Sequence, residues 1–129
     1  MPNKKIKLLV VDDEKDICSF VKLLFKKEGF LVYSALSGSE AIAVVKKVKP
    51  DIVLLDIHMK KGMDGIQILR EIEEINPQSR CLMVTWDSSQ AKMKEAKHLG
   101  AVSYLTKPLT VSQLLKVVNR VVAARKRGK

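Results

Sequence analysis

Aromatic residues are scarce, at 5% of 129 positions, and they do not interleave with the basic runs. That scarcity argues against a nucleic-acid surface, despite a formal net charge of +10. Most of the lysines are instead assigned to solvated helix faces. Cysteine is rare too. Cys18 and Cys81 stand in separate apolar contexts without a CxxC or Cys/His cluster, so buried free thiols are expected rather than a zinc or disulfide framework. No stretch approaches the roughly 20 apolar residues of a membrane span. The run "IKLLVV" at 6–11 is shorter than the core of a signal peptide and ends in acid, so it reads as a strand. A glycine-rich phosphate loop is missing as well, which excludes a nucleotide cradle. These absences predict a soluble, cytoplasmic protein with no membrane partner.

What the chain does have is a globular composition, 47% hydrophobic and 29% charged, at the size of one domain. A single domain over residues 1–129 is expected, with a basic tail over about 124–129. Five short runs rich in branched residues read as strands: "IKLLVV" (6–11), "LVYSA" (31–35), "DIVLLD" (51–56), "RCLMVT" (80–85) and "VSYL" (102–105). Helical spacing fills the intervals. Ile17, Phe20, Val21 and Leu24 mark one face, and Leu114, Leu115, Val118, Val121 and Val122 another. Ser37–Glu40 and Thr110–Gln113 fit capping boxes, and Gly29 and Gly100 follow helical patterns where a left-handed stop is expected.

Alternating βα units in so short a chain require parallel strands joined by right-handed crossovers. The predicted fold is α/β, a doubly wound three-layer sandwich with a five-stranded parallel sheet in order 2-1-3-4-5. Ligands then bind beyond the carboxyl ends of the first and third strands, where the winding reverses. Asp12 and Asp13 follow the first strand, Asp56 ends the third, Thr85 ends the fourth, and Lys107-Pro108 follows the fifth. Crowded carboxylates need a cation, and oxygen donors on a wet rim suit Mg²⁺. With Lys107 for positive charge, Thr85 as a hydrogen-bond donor and Asp56 as a carboxylate nucleophile, the set fits phosphoryl transfer.

These motifs, "VVDDE" at 10–14, "DIVLLDIHM" at 51–59, "MDG" at 63–65, "VTW" at 84–86 and "GAVSYLTKP" at 100–108, resemble the response-regulator receiver domains of two-component signalling, which share the flavodoxin-like topology. The resemblance covers nearly the whole chain. It implies that Asp56 accepts a phosphoryl group from a sensor histidine kinase or phosphotransfer protein. It also implies that Asp12, Asp13, Asp56 and the backbone carbonyl of His58 hold Mg²⁺, and that Lys107 contacts the phosphoryl group. Thr85 and Tyr104 would be the moving pair, and the Lys107-Pro108 bond would be cis. The responding surface would be the fourth helix, fifth strand and fifth helix, read by a downstream effector or an output domain absent from this sequence. Ala91, Ala96 and Leu99 are the inward candidates of the fourth helix. Such a domain is a switch and not an enzyme, since it turns over no external substrate in the usual sense.

Two departures stand out. The family's Met-Pro-Gly-Met-Asp-Gly loop here lacks proline and is one residue longer, "MKKGMDG", which places Lys60 and Lys61 near the acceptor. Trp86 replaces a small residue. His58 and Asp87 occupy the two positions that tune the lifetime of the phosphoryl group. The loop and Trp86 motivate an alternative, a receiver-like interaction module that never uses phosphate. Two other readings are weaker. Specific nucleic-acid binding by "RVVAARKRGK" lacks support, because a helix C-terminus favours cations anyway, and a flavin phosphate would be repelled by the carboxylates.

Overall fold

In the computed structural model residues 5–128 are described, with side chains through residue 124. The side chains of 125–129, most of the basic tail, lie outside the described residues. Five strands and five helices alternate: β1 (Lys7–Val11), α1 (Lys15–Lys27), β2 (Leu31–Ala35), α2 (Gly38–Val48), β3 (Ile52–Leu55), α3 (Gly65–Ile75), β4 (Arg80–Thr85), α4 (Gln90–His98), β5 (Ser103–Thr106) and α5 (Val111–Gly128). The sheet is wholly parallel in the order β2-β1-β3-β4-β5, as predicted.

Strands β1 and β3 are covered on both faces, so successive side chains enter opposite cores. Leu9, Val11, Val53 and Leu55 pack with Ile68, Leu69 and Ile72 of α3. Leu8, Val10, Ile52 and Leu54 pack with Phe25 of α1 and with Leu114 and Val118 of α5. The two cysteines are buried and free. Burial pushes the Cys18 thiol up to about 11 and that of Cys81 up as well, which keeps both unreactive near neutrality. Among the described residues, no helix is long and apolar enough to cross a membrane.

Local chemistry explains most boundaries. Gly29 and Gly100 take φ of 92° and 110°, stopping α1 and α4. Thr110 and Gln113 form the expected reciprocal cap at 3.0 and 2.8 Å. At α2 the box is displaced: Ser37 accepts from the Glu40 amide, while the Glu40 carboxylate reaches back to the Leu36 amide. Asp64 and Gln67 make a further capping box at α3.

Two helical assignments and one strand boundary need correction. Phe20 is half exposed, and α1 instead buries Cys18, Val21 and Phe25, a neighbouring helical face on which Phe25 packs against Phe30. Ala91 of α4 is exposed. Only Ala96 of that helix is buried, with Leu99 partly buried beyond its end. The fifth strand runs one residue later than expected, because Thr106 pairs with Thr85 in the last rung.

Candidate functional site

Strand register brings the acids together. Val11 pairs with Leu55, so the next residue of each strand, Asp12 and Asp56, leaves the sheet side by side. Their amides continue the ladder, Asp12 to the carbonyl of Ala35 and Asp56 to that of Val11. The two residues are 4% and 7% exposed. Buried carboxylates so close together need an opposing charge, and β5 supplies it. The Lys107 amide donates to the Thr85 carbonyl at 2.7 Å, which anchors the residue beyond the last rung. Its ammonium lies 2.9 Å from Asp56 Oδ2 and 3.1 Å from Asp12 Oδ2. Burial pulls the pKa of Lys107 down, but Asp56 and then Asp12 outweigh it, and the net direction is up. The Lys107-Pro108 bond is cis, as the resemblance implied.

The remaining oxygens are held by backbone. Asp56 Oδ1 accepts the His58 amide at 3.1 Å, and Asp12 Oδ1 accepts the Glu14 amide at 3.0 Å. Asp13 does not join the pair. Its Oδ2 accepts the Lys60 amide at 2.8 Å, across 47 positions of sequence. Among the described residues no three acidic, histidine or cysteine side chains converge closely enough to hold a metal in this conformation. The donor chemistry nevertheless fits a hard cation. Two carboxylates already share one positive atom, the Lys107 nitrogen, and all of the expected donors are oxygens.

Asp87, expected beside His58 as a modulating residue, forms a second centre whose contacts sequence reasoning did not give. Its Oδ2 lies 2.7 Å from His58 Nε2, and its Oδ1 accepts the Ser89 amide at 2.9 Å. Its own amide donates to Thr85 Oγ1 at 3.2 Å, and its carbonyl accepts the Tyr104 hydroxyl at 2.6 Å. The expected moving pair, Thr85 and Tyr104, thus meets on one residue. Hydrogen bonds from the Ser89 amide and hydroxyl, then from His58, hold the Asp87 carboxyl at about 2. Burial, followed by the charges of Asp87 and Asp56, pushes the Tyr104 phenol up to about 12. The signal was present in Asp87-Ser88-Ser89, since an aspartate two residues before a serine amide makes a local Asx turn. Trp86 is 64% exposed, so its indole lies largely in solvent.

Gly65 is the glycine of the "MDG" motif at 63–65. Its amide donates to the Ile57 carbonyl at 2.6 Å, and a β-carbon there would collide with the backbone of Asp56 and Ile57.

A parallel sheet in this order, with two acids and a lysine converging at its switch point, is a doubly wound α/β domain with a charged site beyond the carboxyl ends of its strands. Residues 8–119 match the family model of the response regulator receiver domain, and the chain belongs to that family. It is 35% identical to the sporulation initiation phosphotransferase F of Bacillus subtilis over 93% of this chain and 94% of that protein. It is 39% identical to the transcriptional regulatory protein ZraR of Salmonella typhimurium over 92% of this chain, but that match spans only 27% of ZraR. A chain in the crystal structure of the CheX–CheY–BeF₃–Mg²⁺ complex from Borrelia burgdorferi superposes with a TM-score of 0.84. It shares 32% identity over 91% of this chain and 89% of its own. Receiver domains are switches of two-component systems and bind Mg²⁺.

Proposed function

We propose that this domain accepts a phosphoryl group on Asp56 from a histidine kinase or phosphotransfer protein, in a Mg²⁺-dependent reaction. The observation that carries the reading is the Lys107 ammonium bridging Asp56 and Asp12 at the switch point of the sheet. A carboxylate oxygen of Asp56 forms the new bond to phosphorus, and the phosphorus–nitrogen bond of the donor breaks with its electron pair leaving on the imidazole. Lys107 follows the incoming equatorial oxygens as a compact positive charge. Asp12, Asp13, Asp56 and the His58 carbonyl would hold Mg²⁺, which when bound would supply further neutralisation of the transferred group.

The added charge of about −1.5 to −2 at Asp56 draws the Thr85 hydroxyl from the Asp87 amide. Tyr104 loses its fixed acceptor as the Asp87 backbone moves, and the α4, β5 and α5 surface changes for a downstream partner. The shift is as large as the difference in interaction between the two states. Incubation with acetyl phosphate and Mg²⁺ followed by intact-mass spectrometry tests the reading. One phosphoryl adduct is expected on the wild type and none on Asp56→Asn. An unmodified wild type would instead favour a receiver-shaped interaction module that does not use phosphate.

A further inference from the structure

The Lys60-Lys61 segment differs from the family loop in its length and in lacking proline. This loop joins β3 to α3, and its link to the acidic edge is the Lys60 amide on Asp13 Oδ2 at 2.8 Å. The donor exists only because the residue after Met59 is not proline, which has no N–H to give. The bond is charge-assisted, and it satisfies Asp13 away from the carboxylate pair at Lys107. Two further features agree. Among the described residues no third acid stands close enough to Asp12 and Asp56 to complete a metal site. Beside Asp13 lies an open cleft of about 290 Å³, lined also by Leu36, Ser37, Lys60 and Lys61, with room for a carboxylate to turn.

We propose that the Lys60 backbone amide is an internal competitor for Asp13, so that a divalent cation binds by taking Asp13 from it and thereby releases the Lys60-Lys61 loop. The inference rests on the Mg²⁺-binding reading above. It assigns to the lengthened loop a positioning role exerted through backbone, with the lysine side chains incidental to it. Cation binding then reports itself at the rim, where a phosphoryl donor must approach, before any phosphoryl group is transferred.

The competitor and the lysine charge are separable. Lys60→Ala removes the charge and keeps the amide, whereas Lys60→Pro removes both. Relative to Lys60→Ala, Lys60→Pro is expected to bind Mg²⁺ about three-fold more tightly by calorimetry, the scale of one modest hydrogen bond. In the wild-type protein, nuclear magnetic resonance should show the Lys60 amide exchanging slowly without Mg²⁺ and faster with it, while the Asp56 and Asp12 amides stay protected. If Lys60→Pro does not fold, the wild-type exchange measurement still decides. Mg²⁺ binding with an unchanged Lys60 amide, or equal affinities in the two variants, overturns the competitor and leaves the phosphoacceptor reading intact. Absence of any Mg²⁺ binding overturns both.

Discussion

Gly65 packs so closely on the carbonyl of Asp56 that a β-carbon at Gly65 has no room. The obstacle is backbone and not the end of a flexible side chain, so either α3 or the end of β3 would have to shift. Gly65→Ala should therefore lose about 1–3 kcal/mol of stability. In urea this appears as a lower midpoint with an unchanged slope. Adduct formation on Asp56 should fall as well, because the displaced backbone carries the acceptor. A wild-type midpoint would mean that the contact is not a constraint.

Lys107→Ala leaves Asp12 and Asp56 facing each other, with side chains 5% and 9% exposed and no cation between them. Removing one member of a buried pair costs about 3–5 kcal/mol. Mg²⁺ should recover part of this loss, so its stabilising effect should be larger in the variant than in the wild type. Since the folded pKa of Lys107 is raised, its contribution is complete below the ordinary lysine range and is lost as pH rises through the folded value. The stability difference between wild type and variant should therefore shrink as pH rises into the strongly alkaline range. Phosphorylation of the variant should no longer produce the wild-type spectral change. A variant that retains this change would remove Lys107 from the coupling.

The Asp87 carboxyl, held at about 2, is depressed. Its contribution is therefore present above the ordinary carboxyl range and lost as pH falls from there toward about 2. Carbon-detected titration of Asp87 should give a midpoint near that value. Because the Ser89 amide outranks His58 among the causes, His58→Ala should raise the midpoint only modestly. A midpoint in the ordinary range for the wild type would show that the Asx turn does not persist in solution. Tyr104→Phe, which deletes the 2.6 Å bond to the Asp87 carbonyl, should cost about 0.5–1.5 kcal/mol. It should also weaken the coupling of phosphorylation to the α4–β5–α5 surface.

The sheet order was legible because the alternation of apolar runs with helical segments leaves few topologies, and Asp12, Asp56 and Lys107 followed from the switch-point rule. What escaped sequence reasoning was orientation within a local turn. The position of Asp13 beside Asp12 does not reveal that its carboxylate turns to an amide 47 residues away. Nor does the position of Asp87 reveal that its amide, carbonyl and carboxylate each take a different partner. Phe20 failed for a related reason. A helical stripe admits neighbouring faces, and the packing of Phe25 against Phe30, with ring centroids 5.2 Å apart, selects among them.

Trp86 tests the coupling from solvent. Its indole is 64% exposed, whereas Thr85 beside it is fully buried and its carbonyl receives the Lys107 amide. A shift of Lys107 toward a phosphoryl group would pull on that carbonyl, and the peptide joining Thr85 to Trp86 would turn with it. The ligand-free protein should show the emission of a hydrated indole that acrylamide quenches readily. Mg²⁺ should change this little, because the expected metal donors lie on the side of Asp12 and His58. Beryllofluoride should then produce a second, larger change as Thr85 leaves the Asp87 amide. Asp56→Asn should retain at most the first step, since its amide cannot take up the mimic as a carboxylate does. Emission silent to beryllofluoride, while an adduct forms on Asp56, would show that the movement of Thr85 does not reach the backbone of its neighbour.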